Sequence, residues 1–385
     1  FAEERIAAAG VADEEVAALA RAAGIEAEWW EVDGTHHRVS PETERALLAA
    51  MGLAHASPED VEHSMRGLAQ PRPIIAGASD PVTLGAPSPR RRRLVIEDDQ
   101  GNTIGLDVPP GEAAVTRLAP GRYRLRAEED LATPRDLIVS PGTCHVPDDI
   151  AGGARVFGIA AHLYALRHAS SEGIGDFETL RRFAHLTREE GGRYAGLNPL
   201  HHMFPADRSR ASPYQPSDRH YIDPVYISIT GLLAWLALPQ AARLAGESRA
   251  TFASLDRLPH VDYAAVWEAK RRVLEQAFAE FPGSAAFDDF IAAGGAGLTA
   301  HGRFEAERMG ESPTPRRIAF RAFLQWIADR QLGAAAVHGS LYRDLALGCA
   351  YDGGEIAGEP TAFATGVSIG APPAPFSAAG QGWKL

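Results

Sequence analysis

Residues Gly196 to Ile229 read GLNPLHHMFPADRSRASPYQPSDRHYIDPVYISI, and their surroundings decide the fold. A short apolar approach ends at Asn198-Pro199. A polar loop follows, with His201 and His202 adjacent and Ser212-Pro213-Tyr214-Gln215 further on. An apolar-alternating run, Tyr221 to Ile229, closes the stretch. Upstream, Val156 to Ala160 has the composition of a buried strand. A polar loop leads from it to Asp176, an N-cap for a helix with Phe177, Leu180, Phe183 and Leu186 inward and Gly191-Gly192 as its stop. Tyr194 to Asn198 reads as the next strand. Strand, loop, helix, strand is the order of a parallel α/β unit. In a (β/α)8 barrel the loop after a strand sits on the ligand-binding face. That places Asn198 to Gln215 at the candidate site.

Downstream, Gly231 to Ala328 reads as mostly helical. Asp262 caps a helix carrying Val266, Val273, Ala277 and Phe278, stopped by Pro282. Arg316 to Leu332 carries Phe320, Phe323, Leu324 and Ile327 at helical spacing, with Trp326 flanking that face. The block is too long for one crossover helix and reads as an insertion, about residues 231–330. The parallel pattern resumes at Tyr342 to Leu347, a strand or strand end, followed by a polar loop from Ala350 to Glu359. Thr365 to Leu385 is rich in Gly and Pro and has little regular pattern.

The first 70 residues read as short helices. Asp13 can cap one with Val16, Leu19, Ala20 and Ala23 on a single face and Gly24 as its stop. Ser40-Pro41 and Ser57-Pro58 each place an N-cap before a first-turn proline, and Gly52 can end the helix begun at Pro41. Trp29 and Trp30 lie between helices, where packing is favoured over sugar stacking. From residue 71 to about 150, prolines and glycines punctuate strand-like runs, and a small Ig-like β-sandwich is expected. Leu94 to Val108 is a hairpin turning at Asp99 to Asn102. Tyr123 to Arg126 alternates, and Leu137 to Val139 is a further strand. Ser140 to Asp148 is the exit. The basic run Arg90 to Arg93, flanked by Glu97, Asp98 and Asp99, reads as a solvated strand edge. The expected architecture is multidomain: a helical region over 1–70, a β-sandwich over 71–150, and the N-terminal part of a TIM barrel over 151–385.

A chain of 385 residues with a formal net charge of −12 is a poor nonspecific nucleic-acid binder. No apolar run approaches the ~20 residues that span a bilayer. Cys144 and Cys349 lie far apart in sequence, which fits a reducing cytoplasm.

Few residues announce chemistry by themselves. Gly173-Ile174-Gly175 begins like a dinucleotide loop, but Glu178 stands where its third glycine belongs, and a helix start is the better reading. Adjacent His201 and His202 diverge in an extended segment and have no further ligand at metal spacing, so they read as loop polarity. His36 and His37 read the same way. No Gly-x-Ser-x-Gly elbow is present. Asp344 and Asp352 follow a barrel strand, where binding groups collect, although Arg343 beside Asp344 also allows an internal ion pair. Tyr214 is equally a sugar-facing aromatic or part of a turn anchored by Pro213.

An ordered series of motifs runs from Gly196-Leu197-Asn198-Pro199-Leu200-His201 through Ser212-Pro213-Tyr214 and Tyr342-Arg343-Asp344-Leu345-Ala346-Leu347-Gly348. It continues with Tyr351-Asp352-Gly353, Val367 to Pro373 and Gly380-Gln381-Gly382-Trp383. In order and spacing the chain from Arg155 onward resembles the 4-α-glucanotransferase (amylomaltase, disproportionating enzyme) family. The helical start and sandwich resemble the N-terminal extension of its long bacterial form. The resemblance implies transfer of α-1,4-glucan segments between maltooligosaccharides with retention, without metal ions or organic cofactors. It implies that Tyr214 lies against the sugar at the cleavage site and that Ser212 shapes that wall. Asp352 would hydrogen-bond a donor glucose, and Trp383 would stack on the glucan at the end of a mobile loop, Thr365 to Gly382.

The family's Arg-x-Asp-His nucleophile motif, general-acid Glu and His-Asp pair follow the Gly-Gln-x-Trp motif. No Asp-His or His-Asp dipeptide occurs in this sequence. A retaining pair of carboxyls about 5–5.5 Å apart is therefore expected beyond Leu385, with roughly half of the barrel present here. Lys384 stands where the family has Gly, and Gly358 where it often has an aromatic. The alternatives are a catalytically inactive glucan-binding fragment or assembly partner, and an α-glucan hydrolase of the same barrel type.

Overall fold

The computed structural model describes residues 11–31, 33–68, 73–78, 80–127, 130–146, 153, 155–337, 339–364, 366–371, 377 and 380–383. Pro147, Asp148, Thr365, Pro372, Pro373 and Lys384 lie outside the described residues, as does the side chain of Trp383. The chain forms two compact units, one of residues 1–30 and 35–154, the other of residues 31–34 and 155–385.

In the first unit, α1 (Asp13–Ala22) buries Val16, Leu19 and Ala20. Ala12, not Asp13, is its N-cap. Asp13 instead opens an acidic first turn, where negative charge meets the positive end of the helix dipole. Strands β1 (Glu28–Trp30) and β2 (His36–Arg38) pair antiparallel, with Trp29 opposite His37 and Trp30 opposite His36. His36 and His37 are thus strand residues rather than loop polarity. In α2 (Pro41–Ala50) the Ser40 hydroxyl accepts from Thr43 N–H at 3.2 Å. Before α3 (Pro58–Leu68), Ser57 and Asp60 cap each other reciprocally at 3.0 and 3.1 Å.

The β-rich part contains β3 (Ile74–Gly77), β4 (Val82–Gly85), β5 (Arg92–Asp98), β6 (Thr103–Val108), β7 (Ala114–Thr116), β8 (Gly121–Ala127) and β9 (Asp130–Ser140). A five-stranded sheet, ordered β3-β9-β8-β5-β6, accompanies a β4-β7 pair, and Leu84, Ile96, Leu125 and Leu137 share one core. The basic run opens β5, which has neighbours on both sides. Within the run Arg92 and Arg93 pair with β6, and pairing with β8 starts only at Leu94, so the run has a strand neighbour on one side; Arg93 is exposed and alternates with buried Leu94.

In the second unit, β10 (Gly158–Ala161), β11 (Tyr194–Leu197) and β14 (Ser340–Arg343) form a parallel sheet. Between β10 and β11 runs α4 (Phe177–Glu189), which packs on β11. Asp176 caps it, accepting from Thr179 N–H at 3.0 Å. The buried face of α4 is Phe177, Leu180, Ala184 and Thr187, and Leu186 is 57% exposed. Leu186 lies nine residues from Phe177, about two and a half turns, and so points the opposite way. Ile159 in β10 is 42% exposed rather than buried, and the adjacent Ala160 is exposed as well.

Gly175 tolerates no side chain, since a Cβ would sit 1.9 Å from Leu163 O. Gly173 and Gly175 serve close packing at the start of the helix. After β11 come β12 (His201–His202) and β13 (Asp218–Ile222), an antiparallel pair. The run to Ile229 is not one strand: Asp223 caps a 3-10 turn and Ser228 caps α5 (Ile229–Trp235). Helices α6 (Pro239–Asp256), α7 (Tyr263–Glu280), α8 (Ala285–Arg308, kinked at Gly295) and α9 (Pro315–Ala336) follow. Phe281, Phe287, Phe323 and Trp326 cluster within the core they enclose. Helix α9 packs on α4 and leads directly into β14, so it serves as the crossover between β11 and β14. The loop after β14 contains α10 (Gly354–Gly358). The segment read as irregular holds a short ribbon, β15 (Ile369–Ala371) with β16 (Gln381–Trp383).

Candidate active-site wall

Two loops make the wall, one leaving β11 and one leaving β14. Asn198, at the end of β11, is buried. Its Oδ1 accepts from Leu163 N–H at 2.7 Å and its Nδ2 donates to Pro199 O at 2.8 Å, which fixes the start of the loop. Deeper in, Asp223 accepts from Met203 N–H at 3.1 Å and Arg208 Nη1 at 2.7 Å. Burial pushes the Asp223 carboxyl up, but Arg208, His202 and hydrogen bonds outweigh it, and its pKa falls below the ordinary value.

The two histidines diverge, and both are partnered. His201 Nε2 accepts from Ala346 N–H at 3.2 Å, which joins the two loops. Burial lowers the His201 pKa, in keeping with a neutral acceptor nitrogen. His202 is buried, with Nε2 3.1 Å from Glu305 Oε2, close enough for an ion pair but outside hydrogen-bond geometry. Burial alone would lower its pKa, yet Glu305 raises it above the usual value.

Further along, the loops are zipped together. Ala350 N–H donates to Pro216 O at 2.8 Å, Glu355 N–H to Ser217 O at 3.1 Å, and Gly354 N–H to Ser217 Oγ at 3.0 Å. Gly353 permits this approach, since a Cβ there would lie 2.3 Å from Ser217 O. Arg219 grips both oxygens of Glu355 at 2.6–3.1 Å. Asp218, His220 and Glu355 bring potential metal-ligand atoms within 4.8 Å of one another. The Glu355 oxygens are already held by Arg219, and the His220 ring lies 3.1 Å from Asp218 Oδ1, so the cluster reads as an ion-pair network.

Asp352 sits on this zipped loop. Arg210 binds it with two 2.9 Å hydrogen bonds and Arg308, at the end of α8, adds one of 2.8 Å. The bonds from Arg210 hold the Asp352 carboxyl below its ordinary pKa. Arg210 in turn lies 3.4 Å from the centroid of the Phe204 ring. Tyr214 is 50% exposed on a turn closed by Gln215 N–H to Ser212 O at 3.1 Å. Burial and the neighbouring Asp344 carboxylate raise its phenol pKa. No Arg343–Asp344 ion pair occurs among the described residues. Asp344 instead extends the strand ladder by donating to Leu197 O at 3.0 Å.

A family model described as 4-alpha-glucanotransferase matches residues 161–315 and 307–385. The chain belongs to the 4-alpha-glucanotransferase family. It is 28% identical to the 4-alpha-glucanotransferase of Mycobacterium tuberculosis (strain ATCC 25618 / H37Rv) over 95% of this chain and 60% of that protein. To the 4-alpha-glucanotransferase of Haemophilus influenzae it is 27% identical, over 74% of this chain and 49% of the relative. The amylomaltase of Corynebacterium glutamicum superposes with a TM-score of 0.78 at 25% identity, covering 97% of this chain and 60% of that one. The chain thus spans about half to three fifths of the length of the curated relatives it matches.

For this 4-alpha-glucanotransferase family member, the structure brings Ser212, Tyr214 and Asp352 onto the two joined loops. Trp383 belongs to the β15–β16 ribbon, its backbone opposite Ile369. Sequence reasoning missed Arg210 and Arg308. The charged run Asp207-Arg208-Ser209-Arg210 was a usable local signal for the first. Arg308, 44 residues before Asp352, had none.

Proposed function

We propose that the complete protein is a cytoplasmic 4-α-glucanotransferase that moves α-1,4-glucan segments between maltooligosaccharides by a retaining double displacement. In this reading residues 151–385 are the N-terminal part of a (β/α)8 barrel with a helical insertion over about 231–330, following a helical region (1–70) and a β-sandwich (71–150). Family membership supports the reaction. The observation that carries the site is the zipper that joins the loops after parallel strands β11 and β14 and sets Ser212, Tyr214 and Asp352 on them. Loops after parallel strands are where barrel enzymes bind substrate.

Each residue then has a physical task. Tyr214 offers a half-exposed aromatic face to a sugar ring, and Ser212 shapes the turn beneath it. Asp352 is kept ionised. Three arginine hydrogen bonds orient its partly exposed carboxylate, which can accept from a glucose hydroxyl. Trp383 stacks on the glucan and helps to exclude water, which favours a sugar acceptor. The nucleophile and acid/base carboxyls belong to the remainder of the protein.

Two measurements test this. The protein expressed from the full reading frame should convert maltotriose into a ladder that includes longer sugars, and only shorter products would replace transfer with hydrolysis. The chain described here should bind maltoheptaose by calorimetry, and Tyr214→Ala should weaken that binding roughly tenfold, about 1.4 kcal/mol. Unchanged binding in that variant would remove Tyr214 from the site.

A further inference from the structure

The β1–β2 ribbon carries two Trp–His pairs, and the two differ. On one face Trp29 stacks on His37, ring centroids 4.3 Å apart, and both are half-buried. That pair is packing. On the other face Trp30 stacks on His36 at 4.7 Å, yet Trp30 is 57% exposed. The strand register sets Glu28 opposite Arg38 on that same face, one pair along, and both are exposed. His36 Nε2 lies 3.0 Å from Glu28 Oε2, so the ring and the carboxylate orient each other. The result is an indole plate backed by an imidazole that a carboxylate orients, with Arg38 on the same face of the ribbon.

We propose that Trp30, with Glu28, His36 and Arg38, is an accessory binding platform for α-glucan chains. An indole face matches the apolar face of a pyranose ring, while planar polar groups at its rim match the sugar's hydroxyls. Core packing does not account for it: Trp30 is left mostly in water and its ring partner is an exposed imidazole. A polyanion is a poor alternative occupant, because the chain carries a net charge of −12 and the platform holds a carboxylate. A neutral polysaccharide meets no such opposition. The platform would hold long substrates by a second attachment, which adds little for short oligosaccharides and much for polymers. This inference rests on the reading of the protein as an α-glucan binder, and the experiment separates the two.

The test is affinity electrophoresis of the whole chain in native gels containing soluble amylopectin, with dextran gels as the control polymer. Four proteins are compared: the natural sequence, Trp30→Ala, Trp30→Phe and Tyr214→Ala. The expected result is retardation by amylopectin that weakens roughly threefold to tenfold in Trp30→Ala and is largely restored in Trp30→Phe, with melting temperatures unchanged. Retardation of Trp30→Ala equal to that of the natural sequence overturns the platform. So does an equal effect in dextran, or an equal loss in Trp30→Phe and Trp30→Ala. Loss in Tyr214→Ala alone leaves the barrel-site reading standing without the platform. Loss in Trp30→Ala alone does the reverse.

Discussion

Two clusters of charge in the second unit show opposite designs. In the first, Lys270 is fully buried. Its Nζ donates to Ile227 O at 2.7 Å and lies 3.2 Å from Glu172 and 3.7 Å from Asp176. Glu172 spends its oxygens on Ile229 N–H, Thr230 N–H and the Thr230 hydroxyl, and Asp176 caps α4. Every group is occupied by the fold. In the second cluster Asp352, Arg210 and Arg308 are all partly exposed to solvent. The first is a rivet and the second a socket. What separates them is not residue type but burial.

The largest expected effect breaks the rivet. Lys270→Met leaves two buried carboxylates without their cation and should cost about 3–5 kcal/mol in urea unfolding. A loss below about 1 kcal/mol would make the cluster no more than a surface pair. Next, Asp352→Asn removes the ionised acceptor from the socket. It should weaken maltoheptaose binding roughly tenfold while shifting stability by less than about 1 kcal/mol. Equal damage to stability and binding would erase the contrast.

A third test uses pH. The folded pKa of His202 is raised, so Glu305 contributes stability below the histidine's ordinary value of 6.5, and this is lost as pH rises through the folded pKa. The stability difference between the natural protein and Glu305→Gln should therefore be greatest below pH 6.5 and shrink on the alkaline side. A difference that grows with pH would reverse the assignment. The smallest effect is expected from Arg308→Ala, which removes one exposed partner of Asp352 while Arg210 remains. Its stability change should stay under about 1 kcal/mol.

Much of the architecture could be read in advance wherever local chemistry and pattern agree. The strand–helix–strand order around α4, its Asp176 cap, the hairpin at Asp99 to Asn102 and the helices after Asp262 and Arg316 all lie in contiguous residues. The placement of Ser212, Tyr214 and Asp352 in polar loops after strands was legible for the same reason. The failures come from registers and distant partners. Whether Trp30 meets His36 depends on a three-residue pairing that no periodicity displays. Leu186 was assigned inward on apolarity, although its angular position opposes Phe177. That α9 bridges β11 and β14 depends on its packing against α4, far away in sequence. Arg308 reaches Asp352 only because α8 ends beside the loop after β14.

The Gly353 contact has one more consequence, for chain length. Three backbone donors at Ala350, Gly354 and Glu355 meet acceptors on Pro216 and Ser217 at fixed intervals, and a glycine must sit between them. A residue inserted or deleted within Ala350 to Glu355 would carry at least one donor off its acceptor and a side chain into Ser217 O. Among relatives of this chain, this loop should keep its residue count even where its residues differ.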